Sequence, residues 1–210
     1  MFPLAKGHMK ITLALITLIP ILFFYSLLYL WLLYFIPAII LILAAHIYFF
    51  RDPERESIED SKIIFAPADG KVYEVLPDEG IIRIRMTILD VHVNRWPVSG
   101  KITKISRQSG KYWPFVSFLR RGTDENARQI IELEKEDEIF EIVQISGLFA
   151  RRCITYASVG QIVFQGEKLG MIYYGSEVDI RFPVTKYDIL IHKNDTTIAG
   201  VTVLAKVKDH

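Results

Sequence analysis

QIIELEKEDEIFEIVQISG, running from Gln129 to Gly147, decides the fold class. Two runs rich in isoleucine, Gln129–Leu133 and Ile139–Gly147, flank the charged stretch Glu134–Glu138. β-branched and aromatic residues on either side of a polar break predict two antiparallel strands joined by an exposed hairpin turn. Working outward, the same texture recurs over Lys62–Phe65, Lys71–Val75, Gly80–Met86, Gly100–Ser106, Arg152–Ala157, Gln161–Phe164, Lys168–Tyr173, Glu177–Phe182, Ile189–His192 and Val201–Val207. Gly, Pro, Asp and Asn clusters separate these runs, and no long amphipathic helix competes with them. The expected fold is mostly β, a barrel-sandwich-like soluble domain.

Upstream the texture is different. From Ile11 to Phe50 there is no Asp, Glu, Lys or Arg, so every charged residue lies outside this run. As one helix it would be ~60 Å long, about twice the hydrocarbon thickness of a bilayer. Two spans fit better, with the join near Tyr25–Trp31, where Ser26 and interface-favouring aromatics gather. One span plus a re-entrant segment is the competing arrangement. Pro20 and Pro37 are expected to kink or end helices. A secretory signal would have an apolar region of only ~7–15 residues and a small-residue cleavage site, and neither is present. Residues 1–50 are therefore read as an N-terminal transmembrane helical hairpin and residues 51–210 as an all-β domain. Lys6 and Lys10 before the run, with Arg51, Arg55 and Lys62 after it, place both flanks on the cytoplasmic face of the cell membrane.

The net charge of +1 gives no basic face of the kind that nucleic acid requires. Cys153 is the single cysteine, so no disulfide can form within the chain. No HxH, HExxH or cysteine cluster suggests a metal, and none is expected.

Four segments carry candidate chemistry. FFRDPER (Phe49–Arg55) ends the apolar run. APADGKV (Ala66–Val72) contains Pro-then-Asp-Gly, a turn signature that makes Asp69 first of all a turn aspartate. LDVHVNRWPVSG (Leu89–Gly100) puts His92 between two valines in a strand-like stretch, so that Asp90 and His92 share a face. LGMIYYGSEVDI (Leu169–Ile180) holds the only Gly-Ser pair in the chain, Gly175-Ser176. Each segment alone has an ordinary structural reading.

Together, and with ISGLFARR (Ile145–Arg152), these segments resemble the short form of phosphatidylserine decarboxylase, in that family's order, from about Ile47 to Val207. The resemblance implies a proenzyme that cuts itself between Gly175 and Ser176, giving a β chain (1–175) and an α chain (176–210) that stay together as a heterodimer, open to further oligomerisation. It further implies that Ser176 becomes a covalent pyruvoyl group. That group forms a Schiff base with a serine-headgroup phospholipid, phosphatidylserine or archaetidylserine, and decarboxylates it to the ethanolamine lipid without a metal or pyridoxal phosphate.

Each implied step makes a physical demand. Glycine before the nucleophile leaves its carbonyl open to attack and tolerates a strained backbone. The serine hydroxyl needs a base. His8 and His46 belong with the membrane segment, His210 is the last residue and His192 lies near a turn, which leaves His92. The family gives the orienting acid to the aspartate of the PADG turn, here Asp69, with Asp90 as the other candidate. The lipid phosphate calls for Arg or Lys, and Arg95, Arg151, Arg152 and Lys111 are available. The stretch Lys111–Arg121, aromatic with cationic edges, suits either a loop dipping among headgroups or a core-packing loop. Tyr174, Glu177 and Trp96 depart from the family's usual residues.

A non-enzymatic membrane adaptor with a carrier-like β-domain is the alternative, because Val159–Gly170 has the turn–strand–turn rhythm of biotinyl and lipoyl carriers. A pyruvoyl enzyme for a soluble amino acid is a third reading, which the membrane segment disfavours.

Overall fold

The computed structural model describes residues 9–56, 58–111, 125–147, 153–173 and 176–208. Two compact units emerge, one up to Glu54 and one from Arg55 onward, so the division falls a few residues beyond the change in composition.

The first unit contains α1 (Met9–Ser26) and α2 (Phe35–Phe49), joined through a short 3-10 turn, Leu30–Tyr34. The apolar stretches Met9–Ser26 and Leu30–Phe49 are 18 and 20 residues long, sufficient in length and composition to cross a bilayer. Pro20 does not end α1, which continues to Ser26. Pro37 sits in the first turn of α2, where an amide proton would have no helical partner anyway.

The second unit is mostly β. Its main sheet has eight antiparallel strands: β2 (Gly70–Leu76), β3 (Ile81–Met86), β5 (Gly100–Gln108), β6 (Arg128–Lys135), β7 (Glu138–Ser146), β9 (Ile162–Val163), β11 (Ser176–Arg181) and β13 (Thr196–Thr197). Their spatial order is β13-β2-β3-β11-β7-β6-β5-β9. Two three-stranded sheets accompany it. One is built from β1 (Ile63–Phe65), β14 (Val203–Val207) and β12 (Tyr187–Ile189), the other from β4 (Val93–Arg95), β10 (Lys168–Ile172) and β8 (Cys153–Thr155).

The period-2 rule explains the layering. Along β6, Gln129, Ile131 and Leu133 are buried while their neighbours are half-exposed. Across the sheet Ile131 faces Ile142, Leu133 faces Phe140, Val178 faces Ile84 and Ile180 faces Ile82. These side chains form one core with Trp96, Leu169, Ile172, Ile64 and Leu204 from the smaller sheets. The hairpin that opened the sequence reading is tighter than expected. β6 and β7 extend through Lys135 and from Glu138, leaving only Glu136 and Asp137 in the turn, both with positive φ (50° and 65°). That two-residue geometry matches the right-handed twist of the strands it joins. The expected strand Ile189–His192 is also shifted, since β12 ends at Ile189.

Candidate active site

β11 begins at Ser176 and lies between β3 and β7, with Ser176 opposite Met86 on one side and Ser146 on the other. The register carries Lys71 opposite Arg85 and Arg85 opposite Glu177, so one residue further Gly70 comes beside Met86. A row Gly70–Met86–Ser176–Ser146 thus crosses one end of the sheet, and Gly70 lies two strand spacings, roughly 10 Å, from Ser176. Gly70 has φ 145°, and a Cβ there would collide with the carbonyl oxygen of Arg85. The backbone can make this close turn only without a side chain. Tyr174, Gly175 and the side chain of Ser176 lie outside the described residues, as do Arg151, Arg152 and the aromatic stretch from Tyr112 onward.

His92 reaches the same end from the small sheet. β10 runs antiparallel to β4 with Met171 opposite Val93, and the Ile172 amide donates to the His92 carbonyl at 3.4 Å. Ile172 precedes Ser176 by only four positions. The His92 side chain is fully buried, and its Nδ1 lies 2.9 Å from the Asp90 carbonyl oxygen. A carbonyl can only accept, so in the neutral ring the proton sits on Nδ1 and the lone pair on Nε2. The shared strand face expected for Asp90 and His92 is not what forms, because β4 starts only at Val93. The Asp90 carboxylate instead closes a turn, accepting from the Thr87 amide (2.6 Å) and hydroxyl (2.8 Å).

Asp69 is held by a residue to which the sequence reading gave no such role. Arg55 donates to both carboxylate oxygens, at 2.6 and 2.7 Å, and the Ala199 amide adds a bond of 2.8 Å to Oδ1. Arg55 also donates to the Ala199 carbonyl (2.7 Å). Both partners are largely buried, so this two-pronged pair fixes the carboxylate's position.

A chain of hydrogen-bonded polar side chains, buried at Gln129, Gln144 and Asn94, crosses the inner face beside the Ser176 row. Arg107 donates to Gln129 (3.0 Å), Gln129 to Gln144 (2.9 Å) and to Thr155, Gln144 to Asn94 (2.8 Å), and Asn94 to the Met86 sulfur (3.8 Å). Asn94 stood in the quoted DVHVNR segment without a role. Gln129 and Gln144 could have been found by parity, since each continues an inward-facing apolar set. Ser146 Oγ lies 3.4 Å from Cys153 Sγ, and burial pushes that thiol's pKa up.

On the opposite face of β11, Glu177 is fully buried between Arg85 (2.8 Å) and the Tyr73 hydroxyl (3.0 Å), and the Arg85 guanidinium lies 4.4 Å above the Tyr73 ring. Burial raises the Glu177 pKa, and Arg85 draws it back. The departure from the family's residue at this position is therefore matched by a local partner. Of the proposed phosphate ligands, Arg95 is buried and donates to the Gly166 carbonyl (2.9 Å), and Lys111 pairs with Glu125 (2.7 Å) at the surface. His192 is exposed beside Asp195. Among the described residues no cluster of His, Cys, Asp or Glu could hold a metal.

Known proteins share this arrangement of segments. The family model described as phosphatidylserine decarboxylase matches residues 42–205. A phosphatidylserine decarboxylase proenzyme of Pelagibacter ubique is 39% identical over 172 residues, covering 76% of this chain and 78% of the relative. A protein assigned as an archaetidylserine decarboxylase proenzyme in Methanosarcina mazei is 37% identical over 161 residues, covering 77% and 74%. A phosphatidylserine decarboxylase proenzyme of Carboxydothermus hydrogenoformans is 34% identical over 171 residues, covering 77% and 79%. With a family model that matches most of its length and relatives of more than 30% identity over three quarters of it, this chain belongs to the phosphatidylserine decarboxylase family.

Proposed function

We propose that the chain is a phosphatidylserine or archaetidylserine decarboxylase made as a proenzyme, and that Ser176 is both its self-cleavage nucleophile and the source of its pyruvoyl group. The family match supports the activity, a carboxy-lyase step in phospholipid biosynthesis. The observation that carries the residue assignment is the register: Ser176 opens a central strand, in one row with Gly70, Met86 and Ser146, while His92 is paired to Ile172 just upstream.

In this reading His92 Nε2 takes the proton from the Ser176 hydroxyl, which attacks the Gly175 carbonyl carbon. The Gly175–Ser176 amide becomes an ester, and the proton goes to the freed Ser176 nitrogen. β-Elimination then removes the Ser176 Cα proton and breaks the Cβ–O bond, releasing Gly175 as a carboxylate; the enamine left behind takes a proton at Cβ to become an imine, and water replaces its nitrogen, which leaves as ammonia. The Asp90 carbonyl keeps His92 in the tautomer this needs. Asp69, the acid that the family resemblance pairs with this base, is held by Arg55 and the Ala199 amide, and the group that holds His92 Nδ1 is the Asp90 carbonyl.

The site suits a pyruvoyl group. The backbone of Ser176 is paired with strands on both sides, and Gln144 on the neighbouring strand β7 is hydrogen-bonded to Asn94 on β4, which supports a fixed position for a group at 176. Such a group supplies an electron sink for the substrate's Cα–carboxylate bond once joined to its amine. His92 is positioned to return a proton to the carbon that loses CO2. The apolar helices make the protein membrane-associated. The basic residues flanking them support a cytoplasmic catalytic unit, and the two cleavage products remain paired as a heterodimer. Intact mass spectrometry and a denaturing gel test the reading: it requires a small fragment beginning at position 176 with a keto group in place of its amine. A single unbroken chain that is fully active on serine lipid overturns it.

A further inference from the structure

The end of the sheet that carries Ser176 also carries two rigid turns with aliphatic tips. Directly after Met86, the chain turns through Thr87–Asp90, closed by the Asp90 carboxylate and by the Asp90 amide donating to the Thr87 carbonyl (3.0 Å). The two residues at its tip, Ile88 and Leu89, are 65% and 64% exposed. A second turn follows Thr197, which pairs with Gly70. Here the Val201 amide donates to the Ile198 carbonyl (3.1 Å) and the Ile198 amide donates to the Thr202 hydroxyl (2.9 Å). Ile198 and Val201 project from it, 46% and 44% exposed. The first turn is closed by its own polar groups and the second is also bonded inward through Ala199 and Gly200, which leaves aliphatic side chains at both outer tips.

We propose that this rim, with Ile88 and Leu89 as its leading edge, dips into the interface of a lipid bilayer and holds the Ser176 end of the sheet against the headgroups. The inference rests on the lipid-decarboxylase reading and adds how the substrate is reached. Three observations choose a bilayer as the occupant. The chain carries its own membrane-length apolar helices, so the catalytic unit is tethered where a bilayer is available. The group to be decarboxylated is in a headgroup whose tails stay in the lipid, so the site must come to the surface. The opposite end of the sheet is charged, with Asp78 and Glu79 in one turn and Glu136, Asp137 and Glu138 at another, where Lys186 pairs with Glu136 and Glu138. Charged groups resist entry into a lipid interface, and the aliphatic end accepts it. Exposed isoleucine and leucine gain most when moved out of water, and a turn that is already closed loses little conformational freedom on insertion.

The test uses the full chain reconstituted into phosphatidylcholine vesicles containing phosphatidylserine. An environment-sensitive fluorophore is attached at Leu89→Cys and, separately, at Asp137→Cys on the far turn. Cys153, partly buried and with its thiol pKa raised by burial, is replaced by serine in both probe variants so that only the introduced cysteine takes label. Doxyl-labelled lipid quenches the probe at position 89 several-fold more than the probe at 137 if the rim docks. Equal quenching overturns the proposal. So does a blue-shifted probe at 89 that doxyl lipid does not quench, which would mean that protein, such as a second copy of the chain, covers the tip. In a second arm, Ile88→Ser with Leu89→Ser leaves self-cleavage intact. It lowers kcat/KM on vesicle-embedded lipid about tenfold, and leaves turnover of a short-acyl, monomeric serine phospholipid unchanged. Equal loss on both substrates overturns docking. If the unmodified protein decarboxylates neither lipid, the functional reading fails, while the quenching comparison still decides the docking.

Discussion

The two ends of the eight-stranded sheet obey different rules. At the far end the connections are short and regular. Glu136-Asp137 makes a two-residue hairpin, and Pro77–Glu79 forms a single 3-10 turn closed by Gly80 in the left-handed region (φ 66°). Their side chains are mostly charged, with Ile139 as an exposed exception. At the near end, buried polar groups gather: Asn94, Gln129, Gln144 and His92 are all essentially inaccessible, and Arg55 with Asp69 nearly so. A buried charge or amide costs stability unless each group is bonded, so this end retains polarity that folding alone does not need. One end closes the sheet, and the other gathers its buried polar groups.

That contrast can be broken by substitution. The largest effect belongs to Ser176→Ala, which should leave the chain uncut on a denaturing gel and without measurable CO2 release. His92→Ala should slow cutting by roughly 10²–10⁴-fold, the usual range for removing a general base, read as the half-time of fragment appearance. Next comes Arg55→Ala, which strands a buried Asp69 carboxylate. A loss of roughly 3–5 kcal/mol is expected in denaturant melts, with impaired cutting, while Arg55→Lys restores charge but not the two-pronged bond and should fall between. At the far end, Gly80→Ala forces a Cβ into the Phe182 carbonyl at a positive φ. It should lower stability by about 1–3 kcal/mol without slowing the cutting of the folded fraction. Cutting that slows as much as in Arg55→Ala would erase the division between the ends. The smallest effect is Asp137→Gly, which relieves a left-handed residue and should raise stability by about 0.5 kcal/mol, activity unchanged. Chemical labelling sharpens the picture further. Because burial raises the Cys153 pKa, little thiolate exists at neutral pH. Its alkylation in the folded protein should be far slower than for a free thiol, and should gain speed only at pH values above the ordinary cysteine range.

Much of the fold was legible. The alternation in Gln129–Gly147 identified its hairpin, and the uncharged run from Ile11 identified the helices, because burial and lipid both impose simple periodicities on sequence. Strand ends were less legible. The strand-like stretch around His92 becomes strand only from Val93, because Asp90 is drawn into the Thr87 turn, a side-chain bond that no periodicity reports. The site was legible as motifs and illegible as contacts. Asp69, His92 and Ser176 could be named from their segments. The grip of Arg55 on Asp69 spans fourteen residues between two irregular segments, and the support of His92 comes from a backbone carbonyl, which has no residue-type signature. Gln129 and Gln144 were visible in principle as polar residues at inward positions, yet their pairing requires the register between β6 and β7.

The position of Ser176 at the head of a central strand bears on what happens after the chain is severed. All six residues of β11 are paired on both sides, β14 is paired with β1, and β13 is stitched to β2. A break just ahead of β11 would therefore create a new terminus without loosening the weave that holds it. The short piece could not diffuse away or be swapped for another without dismantling three sheet junctions at once. Maturation would then act as a one-way latch: the covalent link disappears, and the folded body registers almost no change.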